Sequence, residues 1–155
     1  IRTAFDAYIF LSYRKKDKLY ADKLMRLIHE IPGCRDIAIW YDEFLVPGES
    51  FSDNILKALD KSDIFALLVA PSILEEPDGK PNYVMSVEYP YAKKANKPIL
   101  PIEMEQTDKC ELDSKFNDLP EIIKIDQTFN KIFSQAISNI ITRTDNSSAE
   151  HLFFF

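Results

Sequence analysis

The chain has 155 residues, 46% of them hydrophobic, which is enough apolar material for the core of one ordinary domain. Its formal charge of −6 and pI near 5.0 argue against nucleic acid or an anionic membrane as the main partner, because both attract basic surfaces. The longest apolar run, near residues 64–70, is far shorter than the roughly 20 residues that span a bilayer. We therefore predict a soluble protein without a membrane segment.

Five short apolar runs alternate along the chain with helical patterns, and each run suits a buried parallel strand. The predicted strands cover residues 7–11, 37–41, 64–70, 98–102 and 122–125. Apolar residues at helical spacing predict helices over residues 24–31, 51–59, 84–95 and 129–141. Ser50 and Asp53 have the spacing of a capping box, which predicts the start of the second helix.

This alternation predicts an α/β fold with one open sheet of about five parallel strands and helices on both faces. Ligands of such sheets bind beyond the carboxyl ends of the strands, near the point where the strand order reverses. That rule selects residues 12–15, 42–50 and 71–85 as the segments in which to look for a site.

The end of the chain differs in composition from the rest, since residues 144–148 are polar and residues 152–155 are apolar. We predict one domain over residues 1–143 and a linker or tail over residues 144–155. Such a linker would lead to a further domain, for example a sensor or oligomerisation domain; a disordered tail or a cloning artefact is the alternative.

Several classes of site find no support in the sequence. Gly33, Gly48 and Gly79 form no glycine-rich loop for a pyrophosphate, which argues against redox use of a dinucleotide. Cys34 and Cys110 lie far apart without a second Cys or His at metal-ligand spacing, which predicts the reduced thiols of a cytoplasmic protein and no metal site. The two histidines have no Ser or Cys placed beside them in a nucleophile motif. We expect no cofactor.

Three ordered motifs resemble the Toll/interleukin receptor (TIR) domain family. Residues 6–15, DAYIFLSYRK, resemble its opening box, in which an aspartate precedes an apolar strand that ends in Ser-Tyr and basic residues. Residues 40–51, WYDEFLVPGESF, resemble the family's second strand and BB loop, and residues 55–72 continue the match. The resemblance covers roughly residues 5–141. It implies a flavodoxin-like three-layer sandwich with a central parallel sheet of about five strands.

The resemblance also implies an active site. In TIR enzymes a glutamate on the helix after the third strand faces a pocket under the BB loop, and Glu88 occupies the corresponding position. The function implied is that of a bacterial NAD⁺ glycohydrolase or cyclase, with NAD⁺ as the substrate. By spacing alone, Glu88 lies at the edge of an apolar helical stripe, where an acid can also simply pair with Lys93 or Lys94.

The same resemblance implies further substrate-binding residues. Arg14 and Lys15 would lie near the phosphates or ribose, or they would solvate a loop. Phe51 would stack on a ring, or it would anchor its helix in the core, and Asp42 would orient the pocket. The remaining predicted substrate-binding residues are Ser12, Tyr13 and Tyr83. Tyr83 would stack on the substrate or pack inward.

Two residues near Glu88 depart from the family pattern. Several active relatives carry a tryptophan one turn before the glutamate, where this chain has Val84. Pro90 interrupts the helix just after Glu88, because a proline ring removes an amide donor and clashes with the preceding turn. A kink at this point would change the direction in which Glu88 points.

The resemblance leaves two functions open. As an enzyme, the domain would be activated by self-association and would act in bacterial immune or stress signalling, including antiviral defence. As a non-enzymatic adaptor, it would assemble with other TIR domains through the loop from Phe44 to Ser50. A Pro-Gly turn in this loop favours exposure of Leu45 and Val46.

Overall fold

The computed structural model describes residues 6–40 and 51–153, with side chains described for residues 6–40 and 53–141. The strands in chain order are Tyr8–Ser12 (β1), Ala38–Trp40 (β2), Ile64–Val69 (β3), Ile99–Glu103 (β4) and Ile123–Lys124 (β5). The five predicted strands are therefore confirmed, and their ends agree with the apolar runs to about one residue. The prediction that each strand is buried was wrong for β2, whose three residues are exposed or half-buried because it lies at the edge of the sheet.

The α-helices of the described residues lie between and after these strands. They are Lys18–Glu30 (α1), Phe51–Lys61 (α2), Tyr89–Lys94 (α3), Lys109–Lys115 (α4) and Phe129–Phe153 (α5). The sequence patterns did not predict α4, and α1 begins earlier than its apolar stripe. Helix α5 continues past residue 141 to Phe153, so its backbone includes most of the segment interpreted as a linker. The division of the chain at residue 143 stays a prediction.

The sheet is parallel throughout, with the strand order β2-β1-β3-β4-β5. This is the order of a doubly wound, flavodoxin-like sheet, and the predicted fold class is confirmed. The direction of winding reverses between β1 and β3, which are neighbours with Ser12 paired to Leu67. A crevice at the carboxyl ends of these two strands is therefore the place where such folds bind ligands.

Side chains alternate across the sheet, so each face has its own hydrophobic core. Ile9 and Leu11 of β1 belong to the core that includes residues of α1 and α5. Phe10 and Phe65 belong to the core that includes residues of α2, α3 and α4. Ser12 follows Phe10 by two positions and faces this second helical layer. The fold thus has three layers, and β1 presents a polar side chain to the layer that carries Glu88.

No helix within the described parts of the chain is both long enough and apolar enough to cross a membrane.

Candidate active site

A cavity of about 280 Å³ lies between the segments that follow β1 and β3, where the winding of the sheet reverses. Within the described residues its lining is Tyr13, Arg14, Lys15, Lys16, Pro77, Asn82, Tyr83, Val84 and Glu88. Five of the predicted site residues are in this set: Tyr13, Arg14, Lys15, Tyr83 and Glu88. The structure brings them together, and their individual roles stay predictions.

Glu88 is a buried carboxylate in this cavity, with only 8% of its surface exposed. The Ser12 hydroxyl at the end of β1 donates to Glu88 Oε1 over 2.5 Å, and Ser12 is 1% exposed. A hydroxyl-to-carboxylate bond of this length is in the range of charge-assisted hydrogen bonds. Ser12, which was predicted to bind substrate, is absent from the described lining and contacts the acid, and its role in substrate binding stays a prediction.

Glu88 is carried by a π turn, Val84–Glu88, which continues directly into α3. The Tyr89 amide donates to the Val84 carbonyl five residues earlier, which is the hydrogen bond of a π-helix. A regular α-helix would press the Pro90 ring against the Ser86 carbonyl, and the wider turn avoids this clash. The predicted interruption at Pro90 thus takes the form of a π turn, and the backbone remains helical through Glu88 and Tyr89.

Asn82 holds the start of this helix. Its side-chain oxygen accepts a hydrogen bond from the Met85 amide at 3.0 Å, as an N-cap residue does. Its amide nitrogen donates to the carbonyls of Ile73 and Glu75, both at 2.8 Å, in the segment after β3. Asn82 is 5% exposed. It therefore ties the loop after β3 to the helix that carries Glu88.

The basic residues of the cavity are partly engaged by the protein. Arg14 Nη1 donates to the Ser72 carbonyl at 2.8 Å and lies 3.3 Å from Glu75 Oε1. Lys16 Nζ contacts both carboxylate oxygens of Glu75, at 2.8 and 3.0 Å. The Lys16 ammonium lowers the pKa of the Glu75 carboxyl, and Arg14 adds to the effect. A ligand phosphate at this position would compete with Glu75 for these cations.

Sequence reasoning missed several residues of this site. Asn82 precedes a helix, which is a recognisable N-cap position, and Lys16 extends the basic run of the first motif. Glu75 carries no sequence signal for its contact with the basic run.

Val84 is buried and lines the cavity one turn before Glu88. Asp42 and the loop from Phe44 to Ser50 lie outside the described residues, as does the side chain of Phe51.

Among the described side chains, no group of three or more His, Cys, Asp or Glu residues is arranged to hold a metal ion. The cavity itself combines the buried Glu88 carboxylate with cationic and aromatic side chains.

Comparison with known proteins identifies the family. The search of curated proteins gave no match. Among solved structures, the chain is similar to a metazoan TIR-STING receptor from C. gigas in complex with 2',3'-cGAMP, with a TM-score of 0.61 and 20% identity. The match covers 84% of this chain and 39% of that chain, so this chain spans about two fifths of the receptor. At this identity the similarity concerns the fold. The model of the TIR domain matches residues 9–141, and the chain belongs to the TIR domain family.

Proposed function

We propose that this TIR domain cleaves NAD⁺ between nicotinamide and ribose, with Glu88 as the catalytic carboxylate. The observation that carries the proposal is the burial of Glu88 in a cavity at the switch point of the sheet. A buried acid costs folding free energy unless it is well hydrogen-bonded, and such groups concentrate at functional sites. Family membership adds the chemistry, because TIR enzymes use a glutamate on this helix.

One carboxylate is sufficient for this reaction. When the bond between nicotinamide N1 and ribose C1′ breaks, both bonding electrons leave with nicotinamide, which departs as a neutral ring. The positive charge passes to an oxocarbenium-like ribose, and a nearby carboxylate stabilises it as in glycoside hydrolysis. Water then attacks C1′ and loses its proton to solvent, giving ADP-ribose. Attack by the substrate's own adenine ring would instead give a cyclic product.

The other cavity residues fit the parts of the dinucleotide. The volume of about 280 Å³ is just below the roughly 300–1,000 Å³ of ligand pockets, which favours the nicotinamide riboside end, rather than the whole dinucleotide, as its occupant. Tyr13 and Tyr83 offer aromatic surfaces to the rings, and Arg14 and Lys15 offer positive charge to the diphosphate. Roles for Asp42 and Phe51 in orienting and stacking the substrate complete the proposal.

The proposed setting is signalling in the bacterial cytoplasm, in immune or stress responses that include antiviral defence. Activity would depend on self-association of TIR domains through the loop from Phe44 to Ser50, under the control of a fused sensor or oligomerisation domain. Clustering as a switch would keep the enzyme from consuming NAD⁺ in the resting state.

The test is nicotinamide release from NAD⁺ by concentrated or artificially clustered protein, with Glu88→Gln measured in parallel. We expect release by the wild type and loss of at least about 100-fold in the variant, the range for removal of one transition-state contact. Equal activity in both proteins would refute the assignment of Glu88. If neither clustered protein releases nicotinamide, while substitution of Leu45 and Pro47 abolishes signalling, the domain is a non-enzymatic adaptor.

A further inference from the structure

We propose that Ser12 is a positioning residue, whose hydroxyl holds the Glu88 carboxylate in one orientation and favours its ionised form. The inference rests on the proposed function for its kinetic consequence, but it also makes a prediction about Glu88 that needs no turnover. It assigns Ser12 a role different from the substrate contact that the family resemblance implied.

The contact joins two elements that are distant in sequence. Ser12 ends β1, Glu88 ends the π turn, and the two oxygens are 2.5 Å apart in a buried setting. An ionised carboxylate only accepts hydrogen bonds, so the single hydroxyl proton of Ser12 is directed to Glu88. While that bond exists, Ser12 has no proton to donate to a substrate.

Burial makes this hydrogen bond hard to replace. Ser12 is 1% exposed and Glu88 is 8% exposed, so water has little access to take the place of the hydroxyl. A glutamate has several rotatable bonds, and ordering it costs entropy that a fixed partner offsets. Because electrostatic stabilisation of a cationic transition state depends on a preorganised charge, loss of the partner should act on the chemical step.

Other charged and titratable groups also surround Glu88. Tyr13, Arg14, Lys15, Lys16 and Tyr83 line the same cavity, from the segment after β1 and from the helix start. They act on the Glu88 charge in wild type and in Ser12 variants alike. A difference between wild type and a Ser12 variant therefore reports the hydroxyl.

The kinetic experiment compares nicotinamide release by the wild type, Ser12→Ala and Ser12→Thr. We expect Ser12→Ala to lower kcat by about 10- to 100-fold, the effect of losing a hydrogen bond to a charged group, with KM within about 2-fold. Ser12→Thr keeps the hydroxyl and should recover most of the rate. An unchanged kcat in Ser12→Ala, or a change in KM alone, would overturn the inference.

Ser62→Ala is the matched control. Ser62 is 3% exposed and its hydroxyl donates to the Leu59 carbonyl at 2.7 Å, after α2 and outside the described cavity lining. Ser62→Ala removes the same hydroxyl from a buried serine as Ser12→Ala does, and its kcat should stay at the wild-type value. If Ser12→Ala fails to fold, Ser12→Cys is measured in its place. Because a thiol is a weaker hydrogen-bond donor, its kcat should lie between the wild-type value and the value expected when the hydrogen bond is lost completely. A wild-type kcat in Ser12→Cys would contradict the inference.

The second readout is the titration of Glu88 followed by NMR in protein labelled with ¹³C at the glutamate carboxyls. Because the hydroxyl bonds the ionised form, Ser12→Ala should move the titration midpoint upward by about one pH unit. This measurement separates the two proposals. If the wild type releases no nicotinamide, the proposed function fails, and an unchanged midpoint would independently overturn the role of Ser12.

Discussion

Two cavities at the carboxyl edge of the sheet offer a comparison. The cavity beside β1 has a volume of about 280 Å³ and contains the buried Glu88. The cavity beyond β4 and β5 has about 850 Å³, and its acid at the strand end is Glu103, which is half-buried. Glu103 Oε2 accepts a long hydrogen bond of 3.3 Å from the Thr107 amide. The larger cavity therefore holds the less constrained carboxylate.

The comparison shows that the burial and hydrogen bonding of a carboxylate identify the candidate site better than the volume of the cavity does. A half-buried acid retains water, so its charge is screened and its orientation is loosely fixed. A buried acid held by a buried hydroxyl acts through a lower effective dielectric in a fixed direction. Topology favours the same choice, because the winding of the sheet reverses at β1 and β3 and not at β4 and β5.

The largest expected effect comes from removing the carboxylate of each cavity in turn. Glu88→Gln should lower nicotinamide release by at least about 100-fold, because the transition-state charge loses its stabilising partner. Glu103→Gln makes the same chemical change in the larger cavity and should alter the rate by less than about 2-fold. Steady-state kinetics on both variants test the comparison directly. A large loss of activity in Glu103→Gln would contradict the proposal, because it would place the reaction in the larger cavity.

The next effect concerns the attachment of the Glu88 helix. Asn82→Ala should lower the free energy of unfolding by about 2–3 kcal/mol, because it removes an N-cap and leaves buried carbonyls unpaired. Denaturant unfolding measures the change. Asn139→Ala, on the exposed face of α5, removes a side-chain contact with Gln135 at 3.0 Å and should change stability by less than about 0.5 kcal/mol. Equal losses in both variants would contradict the special position of Asn82.

A smaller effect tests the link between the two regions. Tyr89 follows Glu88, packs its ring against Phe65 and Phe116, and donates to the Asn117 carbonyl at 2.7 Å. Burial raises the pKa of Tyr89 to about 12, and Asp118 adds to the effect. Tyr89→Phe should lower the free energy of unfolding near pH 8 by about 1 kcal/mol, the worth of one hydrogen bond.

The sign of the pH dependence follows from the raised pKa. Above pH 10 the phenol of the unfolded chain ionises while the folded one stays protonated until about pH 12, so this group destabilises the fold as pH rises. Tyr89→Phe removes this pH dependence. The difference in free energy of unfolding by which the variant falls below wild type should therefore shrink between pH 8 and 11. Denaturant unfolding at several pH values measures it. A deficit that grows with pH would refute the assignment.

The smallest expected effect concerns Glu75, which forms ion pairs with Lys16 and Arg14. Glu75→Gln should free these cations for the substrate diphosphate and lower the KM for NAD⁺ by about 2- to 5-fold, in keeping with the modest energy of exposed ion pairs. The effect should fade at high salt, because screening weakens exposed charge interactions. KM measured at two ionic strengths tests both points. A raised KM would show instead that Glu75 is needed to position the cations.

Much of the fold was predictable because each strand is a short apolar run between polar segments. Helix α4 was missed since its seven residues are mostly polar and bury only Leu112, which leaves no stripe to recognise. The π turn was also beyond sequence patterns, although Pro90 indicated that a regular helix could not pass this point.

The site was predictable in part. The family resemblance selected Glu88, and the rule for parallel sheets selected the segments that surround it. The contact between Ser12 and Glu88 joins residues 76 positions apart, so it required the strand order and the alternation of side chains along β1. Glu75 and Lys16 attract each other only because two loops meet beyond the sheet, and no local pattern contains that information.

The π turn also means that the direction of Glu88 is set by a residue count. An α-helix advances by about 100° per residue, so deleting one residue between Val84 and Glu88 would restore regular winding and rotate the acid away from Ser12. The net charge and the glutamate itself would both be retained. The position of Glu88 relative to Ser12 is therefore set partly by the number of residues in the helix, and an insertion or deletion of one residue can change it as completely as a substitution.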